Sequence, residues 1–257
     1  MDFLLALRFL SILPVPGRVE ATDRRLGRST AWYPLVGVLL GTLLFGCAYL
    51  CTRLWSVLPA AFLCLAVWTL FTRGLHLDGL ADTFDGLGGG ANPDSRLAIM
   101  KDSRVGVFGV VALIIVLIGK FALLSELIGV YRIRGLILIP VLGRWAMLLL
   151  IFTFPAASKS GLGHGVKRHC RLPQFILGTV VAVACAWLLL GLWGLVALAV
   201  VAGIGAAFGL LFVTKLGGCT GDSYGAVCEI SEVVSLAAVA ILIHLRMPSW
   251  SFPYLPT

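Results

Sequence analysis

QFILGTVVAVACAWLLLGLWGLVALAVVAGIGAAFGLLFVT, residues 174–214, is the stretch that decides the fold. An apolar helix needs about 20 residues to cross a bilayer, and this run is about twice that length. Gly191-Leu192-Trp193-Gly194 near its middle offers a tight turn, so the run divides into two antiparallel spans. An even number of crossings returns the flanking segments to one membrane face, whereas a single crossing would separate them.

Working outward, further apolar runs lie at about 31–51, 56–75, 105–125, 133–153 and 231–246. With the divided run they make seven spans. The chain is 60% hydrophobic and 12% charged, with a mean hydropathy of +1.02, which is the composition of a polytopic membrane protein. In lipid every backbone polar group must be satisfied internally, leaving helices or a closed barrel. The runs are continuous rather than alternating, so the expected fold is all-α: one transmembrane helical bundle over 1–257. Phe3-Leu4-Leu5-Ala6-Leu7-Arg8-Phe9-Leu10 is too short to span, is interrupted by Arg8 and is stopped by Pro14 and Pro16. It reads as a short N-terminal interfacial helix.

The net charge of +8 does not point to nucleic acid, because the basic residues mark loops and no aromatic-basic platform accompanies them. With the N-terminus inside, segments 1–30, 73–104, 154–173 and 214–230 carry fourteen Lys/Arg, against Arg53, Arg132, Arg134 and Arg246 outside. That bias is the positive-inside pattern and predicts a cytoplasmic N-terminus. The seven cysteines show no CxxC; Cys47, Cys51, Cys64 and Cys185 fall in apolar runs and Cys170, Cys219 and Cys228 in loops, so free thiols in a reducing compartment are expected. Trp250, Phe252 and Tyr254 suit an interfacial aromatic belt.

Two acidic blocks hold six of the twelve carboxylates. The first is His76-Leu77-Asp78-Gly79-Leu80-Ala81-Asp82-Thr83-Phe84-Asp85-Gly86, and the second runs from Asp222 through Glu229 to Glu232. On a helix, Asp82 and Asp85 lie within about 40° of Asp78, and Glu229 within about 20° of Asp222, with Glu232 about 80° away. Both blocks fall on the inner side of the seven-span arrangement. Crowded carboxylates repel one another unless a cation holds them, and Mg²⁺ with a phosphate-bearing substrate is the simplest reason to gather them. The candidate metal ligands are Asp78, Asp82, Asp85, Asp222, Glu229 and Glu232. Solvated loop acids, with Asp78 or Asp222 as helix caps, are the plainer alternative.

Arg96, Lys101 and Arg104 follow the first block and suit phosphate oxygens; Lys215 and Ser223 beside the second are further substrate-contact candidates. Arg144, deep in the fourth span, is expected to be paired or to bind substrate. Lys120 is expected to snorkel from the outer end of its span. His76 suits a base or a hydrogen-bonding role. Lys159, Lys167, Arg168 and Arg171, with His164 and His169, form a basic loop suited to anionic lipid or a phosphorylated substrate. Gly88-Gly89-Gly90 reads as a flexible connector with no Walker pattern.

The first block resembles the signature of the cobalamin synthase family (adenosylcobinamide-GDP ribazoletransferases). The resemblance extends, in order, to Phe9-Leu-Ser-Ile-Leu-Pro-Val-Pro16, Tyr33-Pro-Leu-Val-Gly37, Ile99-Met-Lys-Asp-Ser-Arg-Val-Gly106, Gly143-Arg144 and Gly217-Gly-Cys-Thr-Gly-Asp-Ser-Tyr-Gly-Ala226. It implies an Mg²⁺-dependent transferase of the bacterial inner membrane with a cytoplasmic active site. Such an enzyme joins α-ribazole, or its 5′-phosphate, to adenosylcobinamide-GDP and releases GMP. On that reading Asp82 and Asp85 lead the metal ligands, and a carboxylate or His76 accepts the hydroxyl proton. The spacing is more loosely similar to that of CDP-alcohol phosphotransferases, so a phospholipid head-group transferase is one rival. An ion-coupled transporter is another, although the charges gather on one side rather than along a midplane path. Gly-rich spans are compatible with a homo-oligomer in the membrane lipid.

Overall fold

The computed structural model describes residues 2–15, 20–129, 135–158 and 162–245. Arg132, Arg134, Lys159, Arg246, Trp250, Phe252 and Tyr254 lie outside the described residues. The helices are α1 (Asp2–Leu10), α2 (Asp23–Ser29), α3 (Tyr33–Leu54), α4 (Val57–Phe71), α5 (Leu75–Gly89), α6 (Pro93–Ile99), α7 (Val107–Gly129), α8 (Gly135–Thr153), α9 (Leu162–His169), α10 (Leu172–Leu190), α11 (Leu192–Leu216) and α12 (Gly221–His244). A 3-10 turn at Thr30–Trp32 joins α2 to α3. Six stretches are long and apolar enough to cross a membrane, and α4 with α5 makes a seventh if the bent pair is one span. The chain is an all-α polytopic membrane protein.

The run at 174–214 divides where expected. Gly191 has φ 57 and ψ −136, a conformation open to glycine and costly for other residues, and it turns α10 into α11. The break between α4 and α5 is less legible. Arg73 and Gly74 take φ values of 54 and 67, and the chain swings by 84°. Instead of prolonging the second span to residue 75, α5 lies across the N-terminal ends of α7 and α12. α4, 15 residues long, packs against α3 and α7, and α5 turns away from it across the starts of α7 and α12. The last span also differs from expectation: it begins at Gly221 rather than near 231. A reciprocal cap starts it there, with Ser223 N–H donating to Thr220 Oγ1 (3.1 Å) and Thr220 N–H to Ser223 Oγ (2.7 Å). Asp222, Glu229, Glu232 and Cys228 thus sit on a helix, not in a loop.

The short helices share one end of the bundle. α1 and α2 precede α3, α5 and α6 link α4 to α7, and α9 links α8 to α10. At the other end two of the turns are tight, with only Trp55 and Ser56 between α3 and α4 and only Gly191 between α10 and α11. Outward-facing Ile115 and Ile118 on α7 and Val180 and Leu188 on α10 are exposed, as lipid-facing side chains are. The described cysteines are free thiols.

At the centre stands α8, which packs against α3, α10, α11 and α12. Gly37 and Gly41, one turn apart on α3, let the two backbones touch. A Cβ at Gly37 would lie 2.6 Å from the Pro140 carbonyl oxygen, and one at Gly41 would lie 2.5 Å from Ile137. This small-xxx-small contact is how helices associate where lipid removes the hydrophobic driving force. The contact predicts that Gly41→Leu overpacks the α3–α8 seam and costs about 1–3 kcal/mol, seen as a lower melting temperature in detergent. An unchanged melting temperature would mean that the seam is not tightly packed.

Candidate active site

The first acidic block forms most of α5, and the second starts α12. Their crossing is close because two glycines permit it. A Cβ on Gly79 would lie 2.7 Å from the Asp222 carbonyl oxygen, and one on Gly225 would lie 3.2 Å from the His76 Cα. The crossing brings Asp78, Asp82 and Asp222 to one region; Asp78 is exposed and the other two are half-buried. Among the described residues none of these three carboxylates pairs with a lysine or arginine. Burial, then the charges of Asp78, Asp222 and Asp85, push the Asp82 carboxyl up to about 6. Among the described residues no three His, Cys, Asp or Glu side chains stand close enough together to hold a metal ion by themselves. The donor set is oxygen-only and anionic, the chemistry that suits Mg²⁺ with water and phosphate completing its shell.

Asp85 is placed differently. It is buried, its Oδ2 accepts the Gly106 N–H (2.7 Å) and its Oδ1 accepts the Gly109 N–H (2.8 Å). These donors are among the otherwise unpaired N–H groups at the start of α7, and an anion there also meets the positive end of the helix dipole. Both carboxylate oxygens are thus engaged in pinning α5 to α7. Gly106 and Gly109 are required for this, since a Cβ on either would lie 2.4 Å from an Asp85 oxygen.

Glu229 and Glu232, expected beside the acids, point into the bundle. Lys120 donates to Glu229 Oε2 (2.7 Å) and to Glu232 Oε2, and Arg144 donates to Glu232 Oε1. The four charges balance in sign. Lys120 does not snorkel; it is 2% exposed and lies 4.3 Å from the centre of the Trp68 ring. Charge therefore does occur in the middle of the bundle, contrary to the one-sided distribution read from the sequence, but it is mutually neutralised. Gly143 leaves room for this, as a Cβ there would lie 2.7 Å from Glu232 Cγ.

Arg144 Nη2 also lies 3.4 Å from His76 Nδ1. Arginine has only donors, so Nδ1 accepts and the neutral ring carries its proton on Nε2, which is buried without a partner. Burial, then Arg144 and Lys120, hold His76 well below the usual histidine range. His76 is thus a neutral donor at Nε2 and a poor match to the expected base.

The remaining candidates divide. Lys101 is exposed near the end of α6. Arg96 gives its Nη1 donor to the Lys215 carbonyl at the end of α11 (3.1 Å), fastening α6 there and leaving the Lys215 side chain exposed. Arg104 makes a two-pronged contact with Asp102 (3.0 and 2.5 Å), and this bonding holds Asp102 down at about 2. Ser223 is spent on the α12 cap. Gly88 and Gly90 are close-approach positions rather than a flexible connector, since a Cβ would meet the Phe108 ring at 2.5 Å or Arg96 at 2.4 Å. Sequence reading missed the capping role of Asp85; the signal was the glycine pair at Gly106 and Gly109, 21 and 24 residues downstream.

Asp85→Ala strands two N–H groups at the start of α7 and is expected to cost about 1–3 kcal/mol, read as a lower melting temperature in detergent; Asp82→Asn is not expected to lower it. A pH test isolates Asp82. Its folded-state value of about 6 exceeds the ordinary 3.8, so the folded state binds the proton more tightly. The penalty of the crowded charge is absent in acid and fully present above the folded value. In EDTA-treated protein the melting temperature should fall as pH rises from about 4 to about 7, with a shallower slope in Asp82→Asn. An identical slope in that variant would remove Asp82 from the cluster.

Residues 2–240 match the family described as cobalamin-5-phosphate synthase. Three relatives, each named adenosylcobinamide-GDP ribazoletransferase, are similar over nearly their whole length. One from Roseiflexus sp. (strain RS-1) is 39% identical over 94% of this chain and 90% of the relative. One from Herpetosiphon aurantiacus is 40% identical over 93% and 96%, and one from Pseudomonas paraeruginosa is 42% identical over 93% and 98%. No solved structure matches the chain. The matched span takes in both acidic blocks, the α5–α12 crossing and the buried ion pairs, and the chain belongs to the cobalamin-5-phosphate synthase family.

Proposed function

We propose that the chain joins α-ribazole, or its 5′-phosphate, to adenosylcobinamide-GDP and releases GMP. The names of its relatives support this reading. The observation that carries it is the crossing of α5 over α12, which gathers three carboxylates that pair with no lysine or arginine among the described residues. A hydroxyl oxygen of the ribose attacks the phosphorus on the cobinamide side of the pyrophosphate. The new P–O bond forms as the bond to the GMP oxygen breaks, and the hydroxyl proton passes to a carboxylate of the crossing.

Asp78, Asp82 and Asp222 are the residues that would hold Mg²⁺. When bound, that ion supplies charge neutralisation for the pyrophosphate and for the departing oxygen. Asp85 keeps α5 against α7, and Arg144 fixes the His76 ring at the floor of the same helix. Lys101 and Lys215 are exposed cations that would attract the anionic donor, whereas Arg96 and Arg104 mainly order the segment that follows α5.

Purified protein in lipid nanodiscs, given Mg²⁺, adenosylcobinamide-GDP and α-ribazole, is expected to yield GMP and a coupled corrinoid. Asp82→Asn should lower the rate by at least about a hundredfold while the protein stays folded. Near-normal GMP release by that variant would refute its role. Turnover of CDP-diacylglycerol instead would move the chain to the lipid head-group transferases.

The positive-inside distribution supports a bacterial inner-membrane protein with this site facing the cytoplasm. A reporter active only in the periplasm should be active when fused after Leu190 and silent after Lys101; the reverse pattern would overturn the orientation.

A further inference from the structure

Away from the acidic crossing, α2, α9 and α10 border a half-open surface cavity of about 480 Å³ lined by Arg24, Arg28, His169, Arg171 and Gln174. The residues come from segments more than 130 positions apart, and their convergence is built into the fold. Gly27 on α2 packs on the end of α9 so closely that a Cβ would lie 2.4 Å from the His169 Cβ. Thr30 then bonds to Cys170 (3.3 Å), holding the turn between α9 and α10 against the start of α3.

The lining is rich in cations. Three guanidiniums line the cavity, and Arg28 is oriented by an ion pair from its Nε to Asp2 (3.0 Å). His169 donates its Nδ1 proton to the Gly165 carbonyl (3.0 Å), which fixes its ring at the edge of the cavity. Gln174 spends its amide oxygen on the Arg171 N–H (3.1 Å), so its NH₂ donors remain. Like charges brought together this way repel unless an anion sits among them, and planar guanidiniums match phosphate oxygens two at a time. By contrast Lys167, from the same basic stretch, turns inward to cap α8 at the Phe152 carbonyl (2.6 Å). The basic segment is therefore sorted, with part of it structural and part facing the cavity.

We propose that this cavity is a binding site for a phosphate ester. Two sources share that chemistry. Exposed Leu172, Ile176 and Val180 continue down α10 from the cavity, as expected where an anionic phospholipid head group meets its chains. In the other direction α9 leads to the acidic crossing, because Gly163 abuts the start of α12, a Cβ there lying 3.0 Å from the Gly221 nitrogen. A soluble phosphorylated ligand held here would be within one short helix of that crossing. The site is independent of the reaction proposed above, and its readout is binding.

The test uses the full chain in neutral detergent, followed by native mass spectrometry with phosphatidylglycerol or ribose 5-phosphate. Diacylglycerol and ribose serve as phosphate-free controls. The wild type is expected to retain at least one phosphate ester and neither control, and Arg24→Gln with Arg171→Gln to weaken retention by about tenfold or more. Retention of phosphatidylglycerol alone identifies a lipid site, of ribose 5-phosphate alone a soluble-ligand site, and of both a site that reads the phosphate group itself. Arg24→Lys with Arg171→Lys keeps the charge and should recover part of the affinity, which separates loss of the site from loss of the fold. No retention of either ester, or equal retention by wild type and the glutamine pair, overturns the proposal.

Discussion

Glu232 sits where the bundle has no water to offer, and its carboxylate is shared between Lys120 of α7 and Arg144 of α8. A charge in that position is tolerated only with partners and with its hydrogen bonds filled. Once Glu232 is fixed, α7, α8 and α12 have little freedom of register, because sliding any one of them would strand a buried ion. Glu229 strengthens the same constraint through Lys120, and Trp68 of α4 lies against that lysine. The network reaches α5 through the contact of Arg144 with His76, so the helix carrying the first acidic block is indexed to the core of the bundle at one end.

The other end of α5 is indexed by Asp85 at the start of α7. Between the two anchors, Gly79 lets the backbone of α12 come close enough for Asp222 to join Asp78 and Asp82. The family signature thus combines two physical roles on one helix. His76 and Asp85 hold the helix in place, while Asp78 is exposed, Asp82 is half-buried, and neither pairs with a lysine or arginine among the described residues. The distinction is one of surroundings, since Asp82 and Asp85 are identical side chains three residues apart.

Polar structure is concentrated at a single end of the molecule. The short helices α1, α2, α5, α6 and α9 all lie there, whereas the opposite end has turns of one or two residues between α3 and α4 and between α10 and α11. Within that layer the acids of the α5–α12 crossing and the arginines around α2 and α10 form separate patches of opposite sign, joined by α9. Side-chain caps set where three of the elements begin: Thr220 with Ser223 for α12, Asn92 with Ser95 for α6, and Asp85 for α7.

Much of this was legible from one sequence. Apolar runs of span length name the crossings, because lipid forces each crossing to satisfy its own backbone. A glycine turn at 191 divides the longest run, and the spacing of Asp78, Asp82 and Asp85 places them on one helical face. Other features needed the tertiary structure. Helical spacing cannot say that Asp85 turns to α7 while Asp82 stays open, since the difference lies in two N–H groups supplied by Gly106 and Gly109. It cannot show that Glu229 and Glu232 are spent on Lys120 and Arg144, because charge pairing between helices depends on which faces meet. Nor does hydropathy reveal the swing at Arg73 and Gly74, as a short apolar helix followed by an amphipathic one averages to the same value as a single span. Residue type and period act along the chain and are readable there; partner choice acts across space and is settled only when the helices pack.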